Sequence, residues 1–308
     1  MSFATLEDAK AWLRRAGTDS ERGEFVDPRD GSITLADYVT RFWKAGVRGA
    51  PGTIKRVDER VRLHILPHIG TVALRDISAT VLRSYITTLE AECAPRYAQQ
   101  ILTSLSNIFE TAIDDKRLVR NPMRAKSVRW PKVPEDQREA WPLATAQRVR
   151  DVINQRYRVA VVVALGCGLR QGEVFGLSPE DVDFERGVIR VRRQVQLLNG
   201  RLYFTLPKGG KTRIVDMPRS VAAELAAYFL LYPAVEVELP WGGPELEREK
   251  RTFTLVLTTK YGNAIRANIF NDEVWKPALA KAGVIPMREK GKRWMASRKD
   301  GFHVLRHT

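Results

Sequence analysis

Carboxylates are scarce in this chain: 36 Asp and Glu stand against 51 Lys and Arg, giving a formal net charge of +15. That imbalance speaks of partners and not of fold. A polyanion is the natural partner, and nucleic acid is the commonest one. A membrane surface fits less well, because the basic residues are spread along the chain and not gathered on one amphipathic helix. Cysteine is nearly missing too. Cys93 and Cys167 are the only two and lie far apart, which argues against a disulfide scaffold and for a reduced, cytoplasmic setting. No apolar run approaches the roughly 20 residues that a membrane span needs. Met1 to Asp8 has neither the basic start nor the apolar stretch of a signal peptide. Internal repeats and low-complexity tracts are missing as well.

What is present divides into segments. Residues 5 to 15 read as a short amphipathic helix with Leu6, Ala9, Trp12 and Leu13 on one face, followed by a polar stretch, so 1–30 form an N-terminal helix and linker. The interval 31–124 is helical throughout and reads as a four-helix domain. Thr34 can cap a first helix carrying Leu35, Tyr38, Val39, Phe42 and Trp43, and Gly46, Gly49, Pro51 and Gly52 break it. A second helix is expected from Thr53 to about Leu66, ended by Pro67 and Gly70. A third should span Thr80–Leu89 and a fourth Tyr97–Ile113, the last with Ile101, Leu105, Ile108, Phe109 and Ala112 at helical period. Asn121-Pro122 closes the domain. Residues 125–139 read as a basic interdomain linker.

Residues 140–308 form a mixed α/β domain. Thr145 could cap a helix through Val152. Tyr157–Leu165 is a buried apolar segment whose period does not separate helix from strand. Strands are expected over Gly187–Leu198, Arg201–Leu206 and Arg213–Met217, with a strong hairpin turn at Asn199-Gly200 and a looser one over Pro207–Thr212. Helices follow at Ser220–Leu231 and Asn268–Ala282, the latter closed by Gly283. Met287–Lys299 is a very basic loop.

The chemistry lies in three places: Gly166-Cys167-Gly168-Leu169-Arg170-Gln171-Gly172-Glu173, Pro207-Lys208-Gly209-Gly210-Lys211-Thr212-Arg213, and Phe302-His303-Val304-Leu305-Arg306-His307-Thr308. Handling a phosphodiester requires positive charge placed around its non-bridging oxygens. Arginine suits this, since its planar fork binds phosphate at two points and stays protonated. Arg170 and Arg306 are the two clamps. The small Gly166 and Gly168 would let backbone approach a ligand, and Glu173 would orient Arg170. His303 can move a proton near neutral pH, and Lys208 can reach a leaving oxygen. Competing readings are weaker. His303 and His307 at i,i+4 lack the Glu and third ligand of a zinc helix. Gly166, Gly168 and Gly172 miss the dinucleotide-binding spacing by one residue. No metal and no cofactor is called for.

These three motifs, in this order, resemble the tyrosine recombinases, and the phage integrases of actinobacteriophage type in particular. The resemblance covers nearly the whole chain, with 31–124 similar to that family's core-binding domain and 140–308 to its catalytic domain. It implies a mainly α fold with a small antiparallel β hairpin sheet, and site-specific DNA recombination through a phosphotyrosyl intermediate. It further implies that Arg170 and Arg306 bind the phosphate, His303 assists proton transfer, and Lys208, with Lys211 as fallback, is the general acid. Glu173 and His307 support them. Lys55, Arg56, Arg62, Arg83 and Arg96 would face DNA, as would Arg124, Lys126, Arg129 and Lys132. Lys211, Arg213, Lys292 and Arg293 would do so from the second domain. The implied partners are double-stranded attachment sites and three further copies of the chain in a tetramer, with room for DNA-bending proteins or an excisionase. The implied location is the cytoplasm, at the nucleoid. The family's nucleophilic tyrosine follows the second arginine, whereas here Thr308 follows His307. The expectation is therefore a C-terminally truncated integrase, inactive by itself. The alternative is a DNA-binding-only fragment or competitor.

Overall fold

A computed structural model describes residues 5–7, 10, 13, 14, 30–134 and 140–308, the side chain of Arg298 excepted. The chain forms two compact units, Met1–Asp136 and Gln137–Thr308. The expected helix at 5–15 lies only partly within the described residues; Leu6 and Leu13, assigned to its apolar face, are both exposed.

The first unit is helical. The Thr34 hydroxyl accepts the Asp37 N–H and caps the first helical stretch, Leu35–Tyr38, Val39–Trp43 and Lys44–Gly46. Pro51 and Gly52, expected as breakers, instead open the next helix, Pro51–Arg60. Proline at a first helical position wastes no hydrogen bond and arrives with a helical φ. Pro67 does not end that helix either. The chain takes a π-helical turn over Val61–Ile65 and continues as Leu66–Ile69. The wider turn accommodates a residue without an N–H, and the Tyr85 hydroxyl donates to the His64 carbonyl at 2.8 Å.

Ser78 caps Ala79–Glu92, and Pro95 opens the long helix Pro95–Asp114. Ile101, Leu102, Leu105, Ile108, Phe109 and Ala112 are fully buried on this helix. Each large apolar side chain so buried contributes about 1.5–3 kcal/mol. The buried Asn121 joins the end of this core to the chain that follows. Its amide donates to Ser106 and Glu110, and its carbonyl oxygen accepts the Met123 N–H at 2.9 Å. The stretch after Ala125, read as linker, packs onto the helices: Val128 is buried in their core and Trp130 half-buried against it. The Gln99 amide holds the Pro131 carbonyl at 2.8 Å. Basic, proline-bearing composition hid these two apolar anchors.

In the second unit, Leu143–Val152 is helical with Thr145 inside the first turn instead of at the cap. The undecided apolar segment is a helix, Gln155–Cys167, capped by Asn154. Val159 through Ala164 are all buried, so the segment has no polar face to betray its period. Among the described residues seven strands follow: β1 (Val182–Asp183), β2 (Val188–Val191), β3 (Gln194–Leu198), β4 (Arg201–Thr205), β5 (Arg213–Asp216), β6 (Val235–Pro240) and β7 (Lys250–Leu255).

They form three antiparallel sheets, ordered β1-β2-β5, β3-β4 and β6-β7. The strand expected over Gly187–Leu198 is thus two strands. Arg192 and Arg193 interrupt it, and both guanidiniums turn to the buried Asp181 at 2.6 Å. Asn199 and Gly200 both take positive φ and make the β3-β4 turn as expected. Pro207–Thr212, by contrast, is not a hairpin turn: β4 pairs with β3 and β5 with β2, so this connection passes from one sheet to another. The β6-β7 hairpin was not anticipated, although its residues alternate. Helices Arg219–Leu231 and Ala267–Phe270, Asn271–Trp275 and Lys276–Lys281 complete the core, and Gly283 follows with positive φ.

Candidate active site

Arg170 is placed by local rules. Gly168 adopts φ +64 and stops the preceding helix. Leu169 is buried and pins the turn. Arg170 then stands at the N-cap of Gln171–Phe175, where its backbone N–H donates to Glu173 Oε2 at 2.9 Å and its Nη1 to Oε1 at 3.0 Å. The carboxylate is thus the partner that the sequence assigned to Arg170.

Arg213 reaches the same carboxylate, which the sequence did not suggest. At the start of β5, its Nη1 and Nη2 donate to Glu173 Oε1 and Oε2 at 2.8 and 2.7 Å. Its guanidinium, expected at DNA, is thus engaged with Glu173 within the protein. Arg306 joins from the short 3-10 turn Phe302–Arg306, which Phe302 and Leu305 anchor in the core. Its Cγ lies 3.8 Å from where a Cβ on Gly168 would stand. Gly168 therefore serves the left-handed turn and the passage of Arg306. Gly166 does different work from that expected: a Cβ there would come within 2.4 Å of Val221 Cγ2, so its smallness serves helix packing.

Two guanidiniums thus hold one carboxylate, and Arg306 lies near enough to feel all three charges. Burial raises the Glu173 carboxyl pKa, but hydrogen bonds from Arg213 and Arg170 outweigh it and hold the group below its ordinary range. The Glu173 bonds raise Arg213. Burial, then repulsion from Arg170 and Arg213, lowers Arg306. Uncompensated positive charge in a partly desolvated site is relieved by an anion that accepts several N–H groups.

The other site residues are more loosely placed. Lys208 and Lys211 are exposed on the connection between β4 and β5, and neither forms an ion pair among the described residues. His303 is exposed, and its ring meets His307 edge-on at 4.9 Å. Among the described residues, no group of three or more metal-binding side chains occurs. The Gln171 amide donates to Asn271 at 2.7 Å beside Arg170, a link across the unit that no local signal marks. The Cys167 thiol is pushed up to about 11 by burial, the behaviour of an inert structural thiol.

Among the basic candidates, Arg56, Arg62, Arg96, Lys126, Arg129, Lys132 and Arg293 are exposed. Several others already have protein partners. Lys55 pairs with Glu59, Arg124 with Glu110 and Lys292 with Glu289, while Arg83 donates to Ser127 and Thr80. Trp294, within the basic loop Met287–Lys299, donates its indole N–H to the Asp272 carbonyl and lies under Arg288.

An arginine cluster of this kind, in a mixed unit that follows a helical one, can hold a phosphate at several points. Residues 35–127 match the phage integrase central domain. The chain is 29% identical to a XerC-like tyrosine recombinase of Caldanaerobacter subterraneus, over 99% of this chain and 78% of that one. It is 30% identical to a putative prophage phiRv2 integrase of Mycobacterium tuberculosis, over 67% of this chain and 56% of the relative. Its fold resembles the Tn1549 transposon integrase in complex with transposon right end DNA, with TM-score 0.70, 18% identity and coverage of 89% and 84%. A lambda integrase tetramer bound to a Holliday junction gives TM-score 0.59 at 16% identity, covering 93% of this chain and 71% of that one. These likenesses support the tyrosine recombinase and phage integrase family for this chain.

Proposed function

We propose that this protein acts in site-specific DNA recombination as a phage or mobile-element integrase. The observation that carries the reading is the pairing of Arg170 and Arg213 with Glu173 beside Arg306, with Arg170 and Arg306 open to solvent in part. In this reading Arg170 and Arg306 bind the two non-bridging oxygens of the scissile phosphate, and Glu173 and Arg213 fix Arg170. A tyrosine hydroxyl attacks phosphorus, the P–O5′ bond breaks, and Lys208 gives the leaving oxygen its proton. His303, supported by His307, assists the proton movements. A 5′-hydroxyl of the partner strand later reverses the step.

Double-stranded attachment sites and further copies of the chain are the partners, with accessory bending proteins or an excisionase fitting the same scheme. The exposed basic residues of the helical unit and of Lys126–Lys132 supply phosphate contacts. Action at the nucleoid follows from a DNA substrate; among the described residues no helix is long and apolar enough to cross a membrane. Several tyrosine hydroxyls are already engaged: Tyr38 with Asp115, Tyr85 with the His64 carbonyl, Tyr203 with Gln196 and Tyr228 with the Arg156 carbonyl. The test is capture of fragmented genomic DNA at rising salt, followed by sequencing. Enrichment of one discrete site is expected; uniform capture of all sequence would overturn site specificity.

A further inference from the structure

The connection from β4 to β5 runs from Leu206 to Thr212 and carries Lys208 and Lys211. Both ends of this strap are tied to the helix Gln171–Phe175, the one that Arg170 opens. At the exit, Arg213 donates to both oxygens of Glu173 at 2.8 and 2.7 Å. At the entry, Gln194 of β3 donates its side-chain amide to the Leu206 carbonyl at 2.7 Å. Gln194 is 6% exposed. It also packs on the helix: a Cβ on Gly172 would stand 3.4 Å from Gln194 Oε1 and 2.8 Å from the Val195 carbonyl, and one on Gly176 3.0 Å from Gln194 Cα. Glycine at both places lets β3 lie directly against the helix.

Within the strap the two lysines are not equivalent. Pro207 is buried, and its carbonyl accepts the Gly210 N–H at 2.9 Å. Lys208 is the first corner of that turn, and Gly209, with φ +87, is the second. Lys208 therefore sits inside a closed turn, two residues from a buried anchor, whereas Lys211 lies outside the turn. If Gln194 only filled the core, a leucine or methionine would serve as well. A buried amide persists where it is hydrogen-bonded, and this one spends its donor on the residue that leads into the strap.

We propose that Gln194 is a positioning residue for the Lys208 amine. It holds the entry of the strap as Arg213 holds its exit, so that the lysine is presented at a fixed reach from Arg170. Gln194 itself touches no substrate. The proposal rests on the recombinase reading, in which Lys208 gives a proton to the leaving oxygen. An amine on a flexible four-carbon stem depends on its backbone for that geometry, and a misplacement of about 1 Å can cost about a hundredfold in rate.

The test acylates the amines of the full chain with acetic anhydride, alone and with a saturating random duplex, and reads each lysine by mass spectrometry. Phosphate contacts carry no sequence information, so a random duplex suffices. In the wild type the duplex should slow acylation of Lys208 severalfold more than that of Lys211. Equal protection of the two would overturn the proposal before any substitution is made. In Gln194→Met and Gln194→Glu, which keep the length of the side chain and lack its donor, protection of Lys208 should fall to the Lys211 level while that of Lys292 stays. Loss at Lys292 as well would reduce Gln194 to a packing residue. A glycine inserted between Gly209 and Gly210, where a Cβ would meet nothing, opens the turn without touching the core and should have the same effect on Lys208. Protection of Lys208 unchanged in these variants overturns the role of Gln194 alone. A bound duplex that shields neither lysine removes the recombinase reading with it.

Discussion

Glu173 and Arg213 lie 40 residues apart and meet in a two-point ion pair with N–O distances of 2.7 and 2.8 Å. The Glu173 side chain is fully buried, and it also takes two hydrogen bonds from Arg170. One carboxylate therefore holds both arginines, at one point through the Arg170 side chain and at two through Arg213.

Removing that carboxylate leaves three guanidiniums facing one another. Glu173→Ala should cost about 3 kcal/mol, the range for breaking a buried pair. Urea unfolding measures it; a loss below about 1 kcal/mol, the scale of an ordinary hydrogen bond, would show that the cluster is solvated.

The same group sets an acid limit. Its folded pKa lies below the ordinary 4.5. Its contribution is therefore present above that value and lost as pH falls through the folded pKa. The stability profile of Glu173→Gln should be flatter than wild type below pH 4.5, as read from thermal unfolding at a series of pH values.

DNA contacts should separate from structural arginines by salt dependence. Replacing Lys126, Arg129 and Lys132 by Ala should lower the slope of log K against log salt by up to about 2.7, at 0.9 per phosphate. Arg213→Ala should leave that slope unchanged and reduce stability instead, because its guanidinium is committed to Glu173.

Gly166 and Val221 should prove coupled. Gly166→Ala forces a Cβ against Val221 Cγ2, a cost of about 1–3 kcal/mol for overpacking. Val221→Ala should relieve it, leaving a coupling of at least about 0.5 kcal/mol in a double-mutant cycle. Simple additivity would mean that the helices shift freely.

In the helical unit, Asn121→Ala should cost about 2 kcal/mol in urea unfolding, since it strips a buried Met123 N–H of its acceptor. An effect within about 0.5 kcal/mol, as for surface positions, would assign the closing turn to its neighbours.

The sequence by itself determined what short-range sterics and charge can encode. Thr34 as a cap, the Asn199-Gly200 turn, Gly283 after its helix and the apolar stripe of Pro95–Asp114 all express preferences within a few residues. So does the Arg170–Glu173 pair, three residues apart at a helix start. The basic balance pointed to a polyanion without reference to any fold. Only the tertiary structure decided the passage of the helix through Pro67, the division of Gly187–Leu198 into strands of two sheets, and the packing of Val128 and Trp130. It also decided that Arg213 braces the site and that Arg306 passes over Gly168. Those outcomes depend on groups distant in sequence competing for the same buried carboxylate or the same cavity, and that competition exists only once the core has closed around them.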